Sequence, residues 1–367
     1  MIIFLIKIFI SIYLMWKVSS SFDLAANFIT KNMGEGIKGP TVNAVASSLP
    51  ELLISFLFLF FFKDLKGFSA GYATIIGSSA FNIAIIPLIA FLFANKKNKI
   101  KTFNIDRGIV IQDGFFLLCS IILLGLGFLI GLNIYYASIL ILTYFIYVYF
   151  VYKKRNTNNL KDKNTEISDL KFKNGLDYGK LKSIINLRLY NILGFKTINY
   201  YNSIIIIIIS IVIISAACYN LVVVVDEISN KFGINLFISA FIIAAISSSI
   251  PDTILSIKDA QNKKFNDSFS NTYGSNIFDI CIGIGLPIFF YSLFYSPISL
   301  DAPIERLGLT NFGDNFFDGN LMLWSLFILF VFTLIITIIY SSGKISFKVL
   351  PYILSAYFLY IISLIIY

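Results

Sequence analysis

Two short stretches of this chain carry the residue types that do chemistry. Residues 47 to 55 read Ser-Ser-Leu-Pro-Glu-Leu-Leu-Ile-Ser and residues 248 to 256 read Ser-Ser-Ile-Pro-Asp-Thr-Ile-Leu-Ser, an offset of 201. A second pair follows at an offset of 197, Gly77-Ser78-Ser79-Ala80-Phe81-Asn82 against Gly274-Ser275-Asn276-Ile277-Phe278-Asp279. On a helix, Ser47 and Ser48 lie four and three positions before Glu51 and Ser55 four after it, so all share one face. Ser248, Ser249 and Ser256 repeat that face around Asp252, and Ser78 with Asn82 and Ser275 with Asp279 are further i, i+4 pairs. Pro50 and Pro251 each lack an amide donor and push away the carbonyl four residues earlier, here Ala46 and Ser247. Freed carbonyls beside carboxylates and hydroxyls form an all-oxygen nest for a hard cation. Taken singly, each feature has an ordinary explanation: a serine back-bonds to its own helix, a proline kinks, a buried acid pairs with a lysine. The duplicated set, with no basic residue inside either copy, points to a cation site.

The remaining composition narrows the chemistry. The chain has no histidine, so it offers no imidazole base, no histidine proton relay and no histidine-ligated metal. Cys119, Cys218 and Cys281 are far apart in apolar segments and read as small core residues rather than a disulfide framework.

The elements that hold the motifs are membrane helices. The 367 residues are 57% hydrophobic and 13% charged, against about a quarter charged in a soluble domain. Apolar blocks predict ten spans, near 8 to 30, 38 to 62, 69 to 94, 108 to 130, 132 to 152, 202 to 230, 234 to 257, 269 to 295, 321 to 341 and 345 to 366. Of the 29 Lys and Arg, 23 fall in loops that alternate to one side. This asymmetry predicts both termini outside and accounts for the net charge of +9 without a nucleic-acid partner. The expected organisation is a first five-span repeat over 1–152, a cytoplasmic linker over 153–200 with an interfacial helix near 181 to 194, and a second five-span repeat over 201–367. Five spans separate the motif copies, so the repeats have inverted topology, which places a shared site near the bilayer midplane. At that depth an ionised carboxylate costs roughly 2.5–3.5 kcal/mol. Glu51, Asp252 and Asp279 are the acids expected to bear that cost.

These motifs resemble the alpha repeats of the calcium/cation antiporter superfamily, and within it the sodium/calcium exchangers, over residues 36–94 and 233–290. The resemblance implies that the acids at the Glu51 and Asp252 positions bind calcium and share in sodium sites. It also implies that Ser47, Ser48, Ser78, Ser248, Ser249 and Ser275 supply oxygens to sodium, and that Asn82 and Asp279 flank the centre. Asp252 with Asp279 looks like the potassium-dependent branch, in which the acid at the Asp279 position is tied to potassium. The family's usual Gly-Thr-Ser before the proline is Ala46-Ser47-Ser48 here and Ser247-Ser248-Ser249 in the second copy, a departure that bears on relative ion affinities.

The expectation is therefore an all-α, multi-pass protein of the cell membrane, a transporter rather than an enzyme. It uses no cofactor, nucleic acid or obligate protein partner. It exchanges Na⁺ for Ca²⁺, with K⁺ co-transport in the potassium-dependent case, and its partners are the inorganic cations and the lipid bilayer. A proton/calcium antiporter of the same superfamily is the alternative, since Glu51 or Asp279 can carry protons; the paired hydroxyls favour sodium. An intramembrane aspartyl protease using Asp252 and Asp279 is the remote alternative. It lacks that class's Tyr-Asp and Gly-Leu-Gly-Asp motifs and leaves Glu51 and Asn82 unexplained.

Overall fold

The computed structural model describes residues 2–30, 37–156, 180–195, 197–295, 298 and 314–366. Helices α1 (Ile2–Ile29), α2 (Gly39–Ser47), α3 (Leu49–Phe62), α4 (Leu65–Asn98), α5 (Arg107–Ile130) and α6 (Ile134–Asn156) form the first part. Two short helices, α7 (Lys180–Ile185) and α8 (Leu189–Ile192), stand where one interfacial helix is expected. Helices α9 (Tyr200–Phe232), α10 (Leu236–Gln261), α11 (Phe265–Phe294), α12 (Asp314–Tyr340) and α13 (Leu350–Ile366) complete the chain. Strands β1 (Phe103–Asn104) and β2 (Lys344–Ile345) pair antiparallel between loops. Most of the predicted linker, 157–179, lies outside the described residues.

Local chemistry sets the helix ends. Asp64 and Asp106 accept the backbone amides of Gly67 at 2.9 Å and Gly108 at 2.7 Å, capping α4 and α5. Lys96 and Lys97 fill the last turn of α4, where cations favour the helix dipole. Gly233, at φ +63°, ends α9.

Among the described residues, eight helices are long and apolar enough to cross a membrane, and the α2–α3 pair, bent by 48°, makes a ninth. α13 has 17 residues, at the short end for a span. The core is not shared evenly: most of α4, α10 and α11 is buried, whereas α1 and α9 lie at the periphery, packed along each other. Ile2, Phe9, Phe115, Phe145 and Ile338 on the outer helices point away from the core, as a lipid-facing surface requires.

Buried acids are more numerous than the expected three. Asp23, Asp113, Asp259 and Asp267 are also at least nine-tenths buried, and the reason lies in partners distant in sequence. Asp113 accepts from Arg155 at 2.6 Å, Tyr147 at 3.1 Å and Ser270 at 2.7 Å, joining α5, α6 and α11. Arg155, read from sequence as a loop charge, is 6% exposed and turned inward to that carboxylate. Arg155→Met leaves Asp113 an uncompensated buried charge and is expected to cost about 3–5 kcal/mol, whereas adding Asp113→Asn restores part of it. The midpoint of thermal unfolding in detergent measures both. Lys17, awkward inside an apolar span, donates to Asn186 at 3.1 Å and lies over the Trp16 ring at 4.1 Å.

Candidate functional site

Four helical segments bring the two motif pairs together. α2 ends at Ser47 because Ser48 leaves helical geometry (φ −89°, ψ 6°) one residue before α3 starts, with Pro50 in the first turn of α3. α10 breaks in the same way at Ser249 (φ −77°, ψ −1°), just before Pro251. Each break places an acid, Glu51 or Asp252, in the first turn of the following segment, near its free amides. Across from them, α4 carries Ser78 and Asn82, and α11 carries Ser275 and Asp279. Asp279 opens a π-helical turn, Asp279–Ile284, a widening that often occurs at functional sites.

The glycine that opens each second motif sets the distance between helices. A side chain on Gly77 would strike the Phe241 carbonyl oxygen of α10, and one on Gly274 would strike the backbone of Pro40 in α2. Only glycine lets each pair approach so closely.

The contacts are not symmetric. Asp252 is fully engaged: Ser275 donates to Oδ1 at 2.7 Å, Asn271 to Oδ1 at 3.5 Å and Asn82 to Oδ2 at 3.2 Å. On Glu51, Ser78 at 3.2 Å and Ser249 at 3.4 Å donate to Oε1, and the two hydroxyls lie 2.9 Å apart. Glu51 Oε2 and Asn82 Oδ1 have no hydrogen-bond partner, and Ser48 faces Asp279 without a well-formed bond between the hydroxyl and either carboxylate oxygen. All four residues are 0% exposed. Asp279 lies within electrostatic reach of both Glu51 and Asp252. A buried polar group without a partner costs free energy, more so if charged, so this set is chemically incomplete as a protein-only structure.

Among the described residues nothing basic completes it. The ion pairs among the described residues are Lys7–Glu227, Arg155–Asp113 and Lys258–Asp23, and none involves Glu51, Asp252 or Asp279. Nor do three acidic or thiol side chains close on one point among the described residues. The donor set is instead carboxylate, amide and hydroxyl oxygens, the kind a hard cation takes.

Of the other residues singled out from sequence, Ser47 and Ser248 are buried and bond the carbonyls of Asn43 at 2.7 Å and Ala245 at 3.1 Å on their own helices, with Ser47 also beside Asp252 and Ser248 beside Glu51. Ser55 packs against Gly71. Two residues belong to the network that sequence reasoning did not select. Asn276 accepts from Asn82 at 3.1 Å and donates to the Ser79 carbonyl at 2.8 Å, while Asn271 reaches Asp252 and Ser256. The i, i+4 spacing of Asn271 and Ser275 was the available signal.

The profile of the family described as sodium/calcium exchanger protein matches residues 2–153 and 202–366. A sodium/potassium/calcium exchanger 1 of Gallus gallus is 33% identical over 110 residues, 29% of this chain and 16% of that relative. A sodium/potassium/calcium exchanger 2 of Mus musculus is 33% identical over 78 residues, 21% of this chain and 12% of that relative. These alignments therefore span less than a fifth of either relative. Among solved structures, the H⁺/Ca²⁺ exchanger CAX superposes with a TM-score of 0.66 at 17% identity, covering 98% of this chain and 80% of that one. The sodium-calcium exchanger NCX_Mj, soaked without Na⁺ and Ca²⁺, gives 0.51 at 21% identity over 99% of both chains. At such identities the likeness is one of fold.

Proposed function

The chain belongs to the sodium/calcium exchanger family, and from that membership we propose that it is a secondary antiporter exchanging Na⁺ for Ca²⁺ through one alternating-access site. The observation that carries this reading is the buried oxygen set around Glu51, Asp252 and Asp279, with acceptors unpartnered and no basic residue paired with it among the described residues. Glu51 and Asp252 hold Ca²⁺ and share in sodium sites. Ser47, Ser48, Ser78, Ser248, Ser249 and Ser275 supply sodium with hydroxyl or backbone oxygens, and Asn82 and Asp279 flank the centre. Both loads need the same carboxylates, so they compete, and differential affinity between access states couples them.

Architecture fits the same reading. Two five-span halves, 1–152 and 201–367, joined by the linker 153–200, are inverted in the cell membrane with both termini outside. α1 and α9, peripheral and packed on each other, are the gates that slide while α2, α3 and the buried α4, α10 and α11 hold the site. K⁺ is a co-substrate: Glu51, Asp252 and Asp279 sum to −3, which one Ca²⁺ plus one K⁺ balances.

Purified protein in Na⁺-loaded vesicles is expected to take up Ca²⁺ when external Na⁺ is removed, faster with K⁺ present. Uptake driven only by a proton gradient overturns the sodium reading, and uptake indifferent to K⁺ overturns co-transport.

A further inference from the structure

Beside the site, α1, α2 and α10 line a partly open cavity of about 30 Å³, room for about one water. Its lining includes Ser47 and Ala46 of α2, Ser19 and Asp23 of α1, and Leu255 and Lys258 of α10. Ser47 places one end a residue from Ser48 and a turn from Glu51. At the other end, Lys258 donates to Asp23 Oδ2 at 2.9 Å. The pair is lopsided: the Asp23 side chain is 8% exposed and that of Lys258 is 55% exposed, so the carboxylate faces in and the lysine stands at the rim. Asn27 holds the other Asp23 oxygen at 2.5 Å. One turn inward on the same face of α1, Ser19 Oγ is buried without a partner. The neighbouring seam is closed, since Asn43 donates to Asp259 at 3.1 Å and the Gly39 amide to Asp267 at 3.3 Å.

We propose that this cavity is the last segment of the cation path on the Lys258 side, and that Lys258 is its latch. The proposal rests on the antiporter reading. The ammonium is a tethered cation seated on the carboxylate that a departing or arriving metal cation needs first. The latch spans α1 and α10, so movement of α1 against α10 pulls Asp23 from Lys258 and exposes Ser19 and Asp23 as successive oxygen ligands leading to Ser47. A half-exposed ion pair is weak enough for a cation to displace and strong enough to disfavour the open path at rest.

Membrane vesicles of defined orientation test this. Lys258→Gln is expected to lower the Ca²⁺ concentration for half-maximal exchange on the Lys258 face by about fivefold. Asp23→Asn is expected to raise it by a similar factor, Lys258→Arg to leave it unchanged, and the opposite face to be unaffected by all three. If wild type exchanges Ca²⁺ and the variants superimpose on it, or shift equally on both faces, the latch is wrong and the antiporter reading stands. A second measurement needs no transport: Ser19→Cys, labelled by a cationic methanethiosulfonate over the background of the native cysteines. Labelling from the Lys258 face is expected to be several-fold faster with Lys258→Gln than with Lys258, and equal rates overturn the passage even if the protein transports nothing.

Discussion

Glu51→Gln is expected to lower Na⁺-driven Ca²⁺ uptake by about a hundredfold or more while leaving the fold intact. The change preserves shape: Ser78 and Ser249, which donate to Oε1 at 3.2 and 3.4 Å, find the same acceptor in the glutamine carbonyl. What is lost is the unpartnered Oε2 acceptor, replaced by an NH₂ that points a donor at the proposed cation position. A charge-assisted contact in a dry site is worth on the order of 3 kcal/mol, about two decades in affinity. The sign on stability is opposite. Removing an uncompensated buried carboxylate relieves a desolvation cost, so the variant is expected to unfold at or above the wild-type temperature. Lost flux with undiminished thermal stability separates a ligand from a packing residue. Retained Na⁺-driven uptake removes Glu51 from the site.

How far the chain was legible in advance depended on whether the signal was local. Helix positions followed from apolar runs, since about 20 residues are needed to cross hydrocarbon and few soluble elements supply them. The exception at the start of α1 is instructive. The sequence reading begins it at residue 8, whereas the helix runs from Ile2, and Lys7, which interrupts the apolar run, is tied to Glu227 of α9 at 2.9 Å. Arg155, read as a loop charge, is corrected for the same reason, because its place depends on a partner, Asp113, that only the tertiary fold supplies. Within the candidate site, duplication made Glu51 and Asp252 visible as a pair, and the prolines marked the helix breaks before them. Asn271 and Asn276 were hidden by composition. In a chain this rich in asparagine, one more asparagine carries little information until its amide is seen to hold Asp252 or Asn82. The lopsided bonding of the two acids, with Asp252 saturated and Glu51 half free, has no sequence signal, since both motifs offer similar hydroxyls.

Gly274→Ala is expected to be nearly as damaging to transport as loss of the acid, by another route. A Cβ at this position would lie 2.5 Å from the Pro40 Cα and 2.7 Å from its carbonyl oxygen. These are backbone atoms in the first turn of α2, so no rotamer change relieves the clash, and α2 and α11 must separate. Overpacking of this kind costs typically 1–3 kcal/mol in stability, but the larger effect falls on geometry. Ser275 is the next residue, and its 2.7 Å bond to Asp252 does not survive a shift of the order of an ångström. Asn276, which holds Asn82 and the Ser79 carbonyl, moves with it. Gly77→Ala is the matching case, since its Cβ would meet the Phe241 carbonyl and, at 2.8 Å, the Ala245 Cβ, parting α4 from α10 beside Ser78. Gly125→Ala serves as the control, because its nearest neighbour is the tip of a flexible Leu326 side chain at 3.3 Å, and it is expected to retain wild-type stability and flux. Calcium uptake and thermal unfolding together read the difference: the two motif glycines lose both, Glu51→Gln loses only uptake, and the control loses neither. If Gly274→Ala and Gly77→Ala transport like wild type, close helix contact is not what positions the oxygens of the site.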